Sequence, residues 1–162
     1  MSDLQRVAAW ADALIAQHLD PAWTFGFDNA KRRAGQCDYR RTRISVSRYL
    51  AARHDDESNH QTLLHEVAHA LAGPAAAHGP AWKRIARELG YVGGTTHDGE
   101  TAIELAPWIG TCPAGHVVYR HRRPSRPSSC VRCARTFDRR FLLAWVRREI
   151  TAADRRAAAT PR

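Results

Sequence analysis

Apolar residues in the opening stretch return at three- and four-residue steps: Leu4, Val7, Ala8, Ala11, Leu14 and Ile15. That is the period of an amphipathic helix, and Asp20-Pro21 ends it. The period then drops to two. Trp23-Thr-Phe-Gly-Phe27, Gln36-Cys-Asp-Tyr-Arg40 and Arg43-Ile-Ser-Val-Ser47 alternate like strands, the last two joined by Arg41-Thr42. The pattern predicts a small antiparallel sheet of about three strands. A polar loop, Asn29 to Gly35, carries Lys31, Arg32 and Arg33, and Tyr49 to Ala52 has the length of a helical turn.

From His60 to Leu71 the chain is apolar on most sides through Leu63, Leu64, Val67, Ala68, Ala70 and Leu71, which predicts a central, buried helix. Asp55, Asp56 and Glu57 suit its N-terminus, and Ser58 or Asn59 is placed to cap it. Gly73-Pro74 ends it. A second helix, Ala81 to Leu89, opens at Pro80 and closes at Gly90. Tyr91 to Glu100 is rich in Gly and Thr and reads as a loop that bounds a main domain, residues 1–100. Residues 101–150 read as a smaller module: one strand within Ala102–Gly110, short strands from Thr111 onward, and a last helix capped by Asp138 with Phe141, Leu142, Trp145 and Val146 as its apolar stripe. Residues 151–162, rich in Ala and Arg, read as a frayed tail. The class is α+β.

Polar residues on the buried helix change the picture. His65 and His69 are four residues apart, so they lie about 40° apart around the axis, one turn above the other. Two imidazoles on one face can share one Zn²⁺. Glu66 is offset from that line, close enough to reach a water and too far round to ligate. Zinc hydrolysis needs this division of neutral nitrogen ligands, an open position and a base beside it. A buried helix carrying two His and a Glu also needs partners for them, and a metal supplies those. His78 stands behind the Gly73-Pro74 break, just before the next helix, where the returning chain can bring it to the same metal.

A second cluster follows in Cys112-Pro-Ala-Gly-His116 and Cys130-Val-Arg-Cys133. Thiolate and imidazole ligands in two short knuckles suit a structural, tetrahedral Zn²⁺ in a segment with little core of its own. His116 is the first choice for the fourth ligand and His121 the second. Cys37 stands alone and reads as a small core residue. His54 and His60 read as bystanders.

Charge sharpens the division. The chain carries a net +9, yet residues 112–162 hold thirteen Arg and three acids while residues 1–111 are nearly balanced. A one-sided basic cluster is the usual footprint of a polyanion, most often nucleic acid. Tyr119-Arg-His-Arg-Arg-Pro-Ser-Arg126 is a basic loop suited to phosphate, and no base-reading motif accompanies it. Hydrophobic content of 44% is that of a globular chain, no stretch reaches the roughly 18 apolar residues of a membrane span, and the N-terminus lacks a signal-peptide pattern. The expected location is the cytoplasm.

Thr62-Leu-Leu-His-Glu-Val-Ala-His-Ala70 followed by His78-Gly-Pro-Ala-Trp-Lys-Arg-Ile-Ala-Arg-Glu-Leu-Gly90 resembles the SprT-like metallopeptidases, the group that includes Spartan. Gly35-Gln-Cys and Ile44-Ser-Val extend the resemblance, which spans roughly residues 20–140 with a C-terminal zinc ribbon. It implies a zincin-like core with His65, His69 and His78 as zinc ligands, Glu66 as general base, and proteolysis of proteins crosslinked to DNA. The family ribbon usually has Cys-x-x-Cys in both knuckles; here Gly115 stands at the second Cys position and His116 follows. The metzincin pattern fits less well, because Gly73 and His78 come too late after His69. In the expected reaction, water activated by zinc and Glu66 attacks a peptide carbonyl; Tyr91 and His97 are candidates for stabilising the oxyanion. The rival expectation is a non-catalytic nucleic-acid-binding zinc-ribbon protein whose protease-like domain is a scaffold.

Overall fold

A computed structural model describes residues 3–94 and 102–159. These form two compact units, one running up to Gly94 and the other comprising Ala102–Ala158. The architecture is mixed α+β with two small sheets.

The first unit starts with helix α1, Leu4–His18, capped by the Asp3 side chain, which accepts from the Gln5 backbone N–H at 2.9 Å. Val7, Ala11 and Ile15 form its buried stripe. Three strands follow: β1, Thr24–Asp28; β2, Gly35–Asp38; and β3, Arg43–Ser47. The sheet order is β1-β3-β2. β2 pairs antiparallel with β3, as the alternation predicts, but β1 pairs parallel to β3, with Phe25 opposite Ile44 and Phe27 opposite Val46. The sheet is therefore mixed and not antiparallel throughout. The strand order follows from β3, where Ile44, Ser45, Val46 and Ser47 are buried in succession. A strand covered on both faces belongs in the middle of a sheet, so β3 separates β1 from β2. That leaves β2 at an edge.

Helix α2, Arg48–Ala51, continues directly from β3 and is capped by Ser47. Helix α3, Asp56–Ala72, is the long central element. Its cap is Asp55, whose carboxylate accepts from the Ser58 N–H at 2.8 Å; Ser58 and Asn59, the expected caps, lie inside the helix. Asn59 is buried and donates to the Ala51 carbonyl at 2.8 Å, tying α3 to α2. Leu63 and Val67 reach the core between α1 and the sheet. On the other side Ala68 packs with Trp82 and Ala86 of α4, Pro80–Glu88. Pro80 opens α4, where its missing N–H costs nothing. Helix α3 thus has α1 and β3 on one side and α4 on the other, with edge strand β2 along its polar face.

The second unit is a three-stranded antiparallel sheet in the order β5-β4-β6: β4, Trp108–Thr111; β5, Val117–Arg120; and β6, Ala144–Arg147. Two expectations fail here. The stretch read as a last helix is a single 3-10 turn, Arg139–Phe141, capped by Asp138, followed by strand β6. Its apolar residues are sparse, and pairing with β4 satisfies their backbone where a short isolated helix would be marginal. The tail read as frayed contains helix α5, Ala152–Ala158, opened by Thr151 and Asp154, which bond reciprocally. No helix among the described residues is long and apolar enough to cross a membrane.

Candidate metal centres

Helix α3 presents His65 and His69 one turn apart, and the chain returns through the turn Pro74–Ala76 to place His78 immediately before α4. The three Nε2 atoms converge: His65 to His69 is 3.1 Å, His69 to His78 is 2.9 Å and His78 to His65 is 3.1 Å. A neutral imidazole has one N–H and one lone pair, so three nitrogens facing one another cannot all be satisfied by mutual hydrogen bonds. A shared cation can satisfy them. Tetrahedral zinc, with nitrogen at about 2.0–2.1 Å, sets neighbouring ligand atoms about 3.3 Å apart, close to the separations seen. The donor set and spacing therefore fit zinc, with a fourth position left outside the triangle. Burial, and then the charge of His78, push His69 down to about 4, which keeps it neutral and fit to ligate. Trp82 walls the cluster, 4.7 Å from His65, 5.3 Å from His69 and 4.6 Å from His78 between ring centroids.

Glu66 lies on the same helix but faces the sheet. It is 7% exposed. Its carboxylate lies against Gly35 of β2: a Cβ at Gly35 would sit 2.6 Å from Oε1. No residue but glycine leaves that space, so the edge strand and the carboxylate fix each other's positions. Burial pushes Glu66 up to about 8, opposed by the Arg33 guanidinium and by the Cys37 backbone N–H, which donates to it, and reinforced by Asp28. Arg33 is itself held by Asp28 at 2.7 Å and by Gln36. Asp28 also accepts from Ser45 at 2.8 Å. A polar network thus runs from the sheet to the carboxylate.

Two hollows meet at Gly35 and Glu66. One, about 350 Å³, is lined by Gln36, Cys37, Tyr39, His69, Pro74 and Ala77 as well. The other, about 630 Å³, has Arg32, Arg33, Gln61, His65 and Tyr91 among its lining residues. Cys37, expected in the core, is half-buried and lines the smaller hollow, because β2 is an edge strand. Tyr39 donates to the His69 backbone carbonyl at 3.0 Å, tying β2 to the end of α3. His60, read as a bystander, packs edge-on against Trp10. His97 lies outside the described residues. Sequence reasoning missed the network of Arg33, Asp28 and Ser45. The only signal was an acid and a serine on neighbouring strands whose pairing had yet to be known.

In the second unit Cys112, His116, Cys130 and Cys133 bring one ligand atom each within 4.8 Å of one another. His116 Nδ1 is 3.6 Å from Cys112 Sγ, 3.6 Å from Cys130 Sγ and 3.2 Å from Cys133 Sγ, and Cys112 and Cys133 sulfurs are 3.9 Å apart. Tetrahedral zinc with Zn–S of about 2.3 Å places sulfurs about 3.8 Å apart, so this set also fits. His121 is not in the cluster. Gly115 shapes the first knuckle. Its φ is +81°, a conformation that favours glycine, and the residue after this turn, His116, enters the cluster.

A family model described as the SprT-like family matches residues 4–104. No curated protein and no solved structure matches the chain.

Two measurements follow from this geometry. Purified protein is expected to carry two zinc ions per chain by elemental analysis, with Cys130→Ser losing one and retaining the other; loss of both, or no zinc in wild type, refutes two separate centres. The second concerns metal-free protein. Glu66 titrates near 8 when folded against 4.5 as a free side chain, so its contribution to stability is complete below pH 4.5 and is lost as pH rises through 8. His69, near 4 folded against 6.5 free, contributes stability that is present above pH 6.5 and lost as pH falls through 4. The two oppose each other below pH 6.5, leaving Glu66 alone between 6.5 and 8. Metal-free wild type should lose stability across that interval relative to metal-free Glu66→Gln in urea titrations; parallel pH dependence would contradict the burial of this carboxyl.

Proposed function

The chain belongs to the SprT-like family and carries a metallopeptidase-like domain, and on that premise we propose that it is a zinc-dependent endopeptidase with a zincin-like core, acting on proteins bound or crosslinked to DNA. The observation that carries the reading is the convergence of His65, His69 and His78 to within 2.9–3.1 Å beside a buried Glu66. Three imidazole nitrogens this close are satisfied by a shared cation and not by one another.

Zinc bound by these three histidines would supply Lewis acidity, lowering the pKa of a water toward about 7 and polarising a peptide carbonyl. The chain's own residues do the rest. Glu66 takes the proton of the attacking water and returns it to the departing amine. The Cys37 N–H and the Arg33 charge favour its ionised form, offsetting part of the cost of burial. Gly35 keeps the space into which the carboxylate fits. The hollows on either side of Glu66 accept the residues flanking the scissile bond.

The second unit would hold a structural zinc through Cys112, His116, Cys130 and Cys133 and place exposed arginines on its surface. Arg120, Arg122, Arg123, Arg126, Arg132 and Arg135 are all exposed. Such a surface suits the DNA backbone without sequence preference.

The enzyme reading is tested by Glu66→Gln, which should retain zinc and fold but lose cleavage of denatured casein by at least about 10²-fold, the scale of a general base. Equal activity in the variant and wild type would leave the scaffold alternative standing. The DNA reading is tested by salt. Affinity for a random-sequence oligonucleotide should fall with salt, and Arg120→Ala, Arg122→Ala and Arg123→Ala together should flatten the slope by about 0.9 for each duplex phosphate that is no longer neutralised. An unchanged slope removes these residues from any DNA interface.

A further inference from the structure

A hydrolytic site with a base on one side needs a hydrogen-bond donor for the oxyanion on the other; of the two candidates the sequence offers, Tyr91 and His97, only Tyr91 lies among the described residues. Among the described residues several donors surround the cluster: Arg32, Ser58 and Thr62 line the larger hollow, and the buried Trp82 indole N–H lies beside the histidines. Arg33 is committed to Asp28 and Gln36. Tyr39 donates to the His69 carbonyl, which also accepts from Gly73 at 3.0 Å to close α3. Withdrawing that phenol would loosen the end of the ligand helix. Gln61 gives its amide N–H to Glu57 at 2.9 Å and takes the Val92 N–H at 2.9 Å.

Tyr91 differs from these. It lines the larger hollow together with His65 and Glu66, on the segment Tyr91–Gly94, whereas Ala34 and Gly35 line it from the sheet. Its ring is held edge-on by His65 at 5.3 Å and by Trp82 at 5.8 Å. The Tyr91 N–H bonds the Ala86 carbonyl at 2.8 Å, and Gln61 fixes the next residue to α3. Ring and backbone are therefore both anchored. The hydroxyl alone has a weak commitment: it donates at 2.7 Å to the carbonyl of Gly94, an exposed residue that water can satisfy equally well. A rigid ring whose one O–H can change acceptor at little cost can serve as a donor to developing charge.

We propose that Tyr91 is a catalytic residue of this site, donating its phenolic hydrogen bond to the substrate carbonyl oxygen as that oxygen gains charge. The proposal rests on the peptidase reading. The phenol keeps its proton throughout; its O–H moves from the Gly94 carbonyl to the oxyanion, and water takes its place at Gly94. Glu66 then handles the proton from the sheet side, while Tyr91 handles the charge from the α4 side.

The test uses the zinc-loaded full chain with denatured casein as substrate and a phosphinic pseudotripeptide as a tetrahedral mimic, beside a simple hydroxamate that binds the metal only. Tyr91→Phe should keep its zinc, lower kcat by about 10²-fold and leave KM within about threefold, the usual signature of a lost oxyanion donor. Calorimetry should show phosphinate affinity falling by a similar factor and hydroxamate affinity unchanged. Gln61→Ala loosens the same segment with the hydroxyl intact, and should weaken both ligands equally. Should Tyr91→Phe lose zinc, a wild-type structure with phosphinate decides: the Tyr91 hydroxyl belongs within about 3 Å of the phosphinyl oxygen, and a hydroxyl still on Gly94 overturns the assignment. It is overturned as well if Tyr91→Phe matches wild type in kcat and phosphinate binding, or if it weakens both ligands alike. Wild type that neither cleaves casein nor binds phosphinate fails the peptidase reading itself; wild type that does both, with Tyr91→Phe unaffected, fails only the role of Tyr91.

Discussion

Two half-buried imidazoles and a buried carboxylate on one helix cannot be left to themselves. Each would lose its hydration on folding, and an uncompensated buried polar group costs several kcal/mol in an apolar setting. The main unit is arranged to meet that constraint. Helix α3 packs its Leu63 and Val67 stripe on α1 and β3, which leaves His65, His69 and Glu66 facing β2 and α4. α4 then returns His78 and closes the cluster with Trp82. β2 meets Glu66 with a glycine and a backbone N–H. A single site can be completed only because a sheet edge and a helix entrance arrive from opposite sides of α3.

Legibility from sequence followed the range of the interaction. The four-residue spacing of His65 and His69, the stripe of α1 and the Pro80 start of α4 are local, and local periodicity exposes them. Sheet order is not local. Nothing within β1 itself states that it lies parallel to β3; the continuous burial of Ile44 through Ser47 places β3 in the middle, and that burial depends on which helices cover the sheet. The β6 strand was hidden for a similar reason. Phe141, Leu142, Trp145 and Val146 are spaced in a manner both a helix and a broken strand can satisfy, and pairing with β4 across a long separation settled the matter. The Arg33–Asp28–Ser45 network required the β1–β3 register before it could be seen at all.

The smaller unit meets a different shortage. Leu105 is its one large, fully buried aliphatic side chain among the described residues; the other buried apolar residues are Cys112, Cys130 and the small Ala102, Ala106 and Ala158. So little apolar area cannot offset the entropy of ordering such a chain. The four-ligand cluster stands where a core would be, and a metal held there would add to folding energy. The arginine excess makes the demand heavier, since like charges on a small surface repel. The ligand cluster and the arginine excess occur in the same stretch of sequence.

Gly35 links these lines of reasoning at the level of one atom. An edge strand is usually protected by charge, a bulge or a covering element. Here β2 is covered on one side by the very helix that carries Glu66, and the contact is so close that a methyl group would displace the carboxylate. The edge remains open beyond that point, where Gln36, Cys37 and Tyr39 line the smaller hollow. Burial that raises Glu66 to about 8 and the N–H of Cys37 that partly restores its charge come from the same strand. Basicity and position of the carboxylate are therefore not independent properties: any change that moves β2 away from α3 hydrates Glu66, lowers its affinity for a proton and removes its orienting donor together.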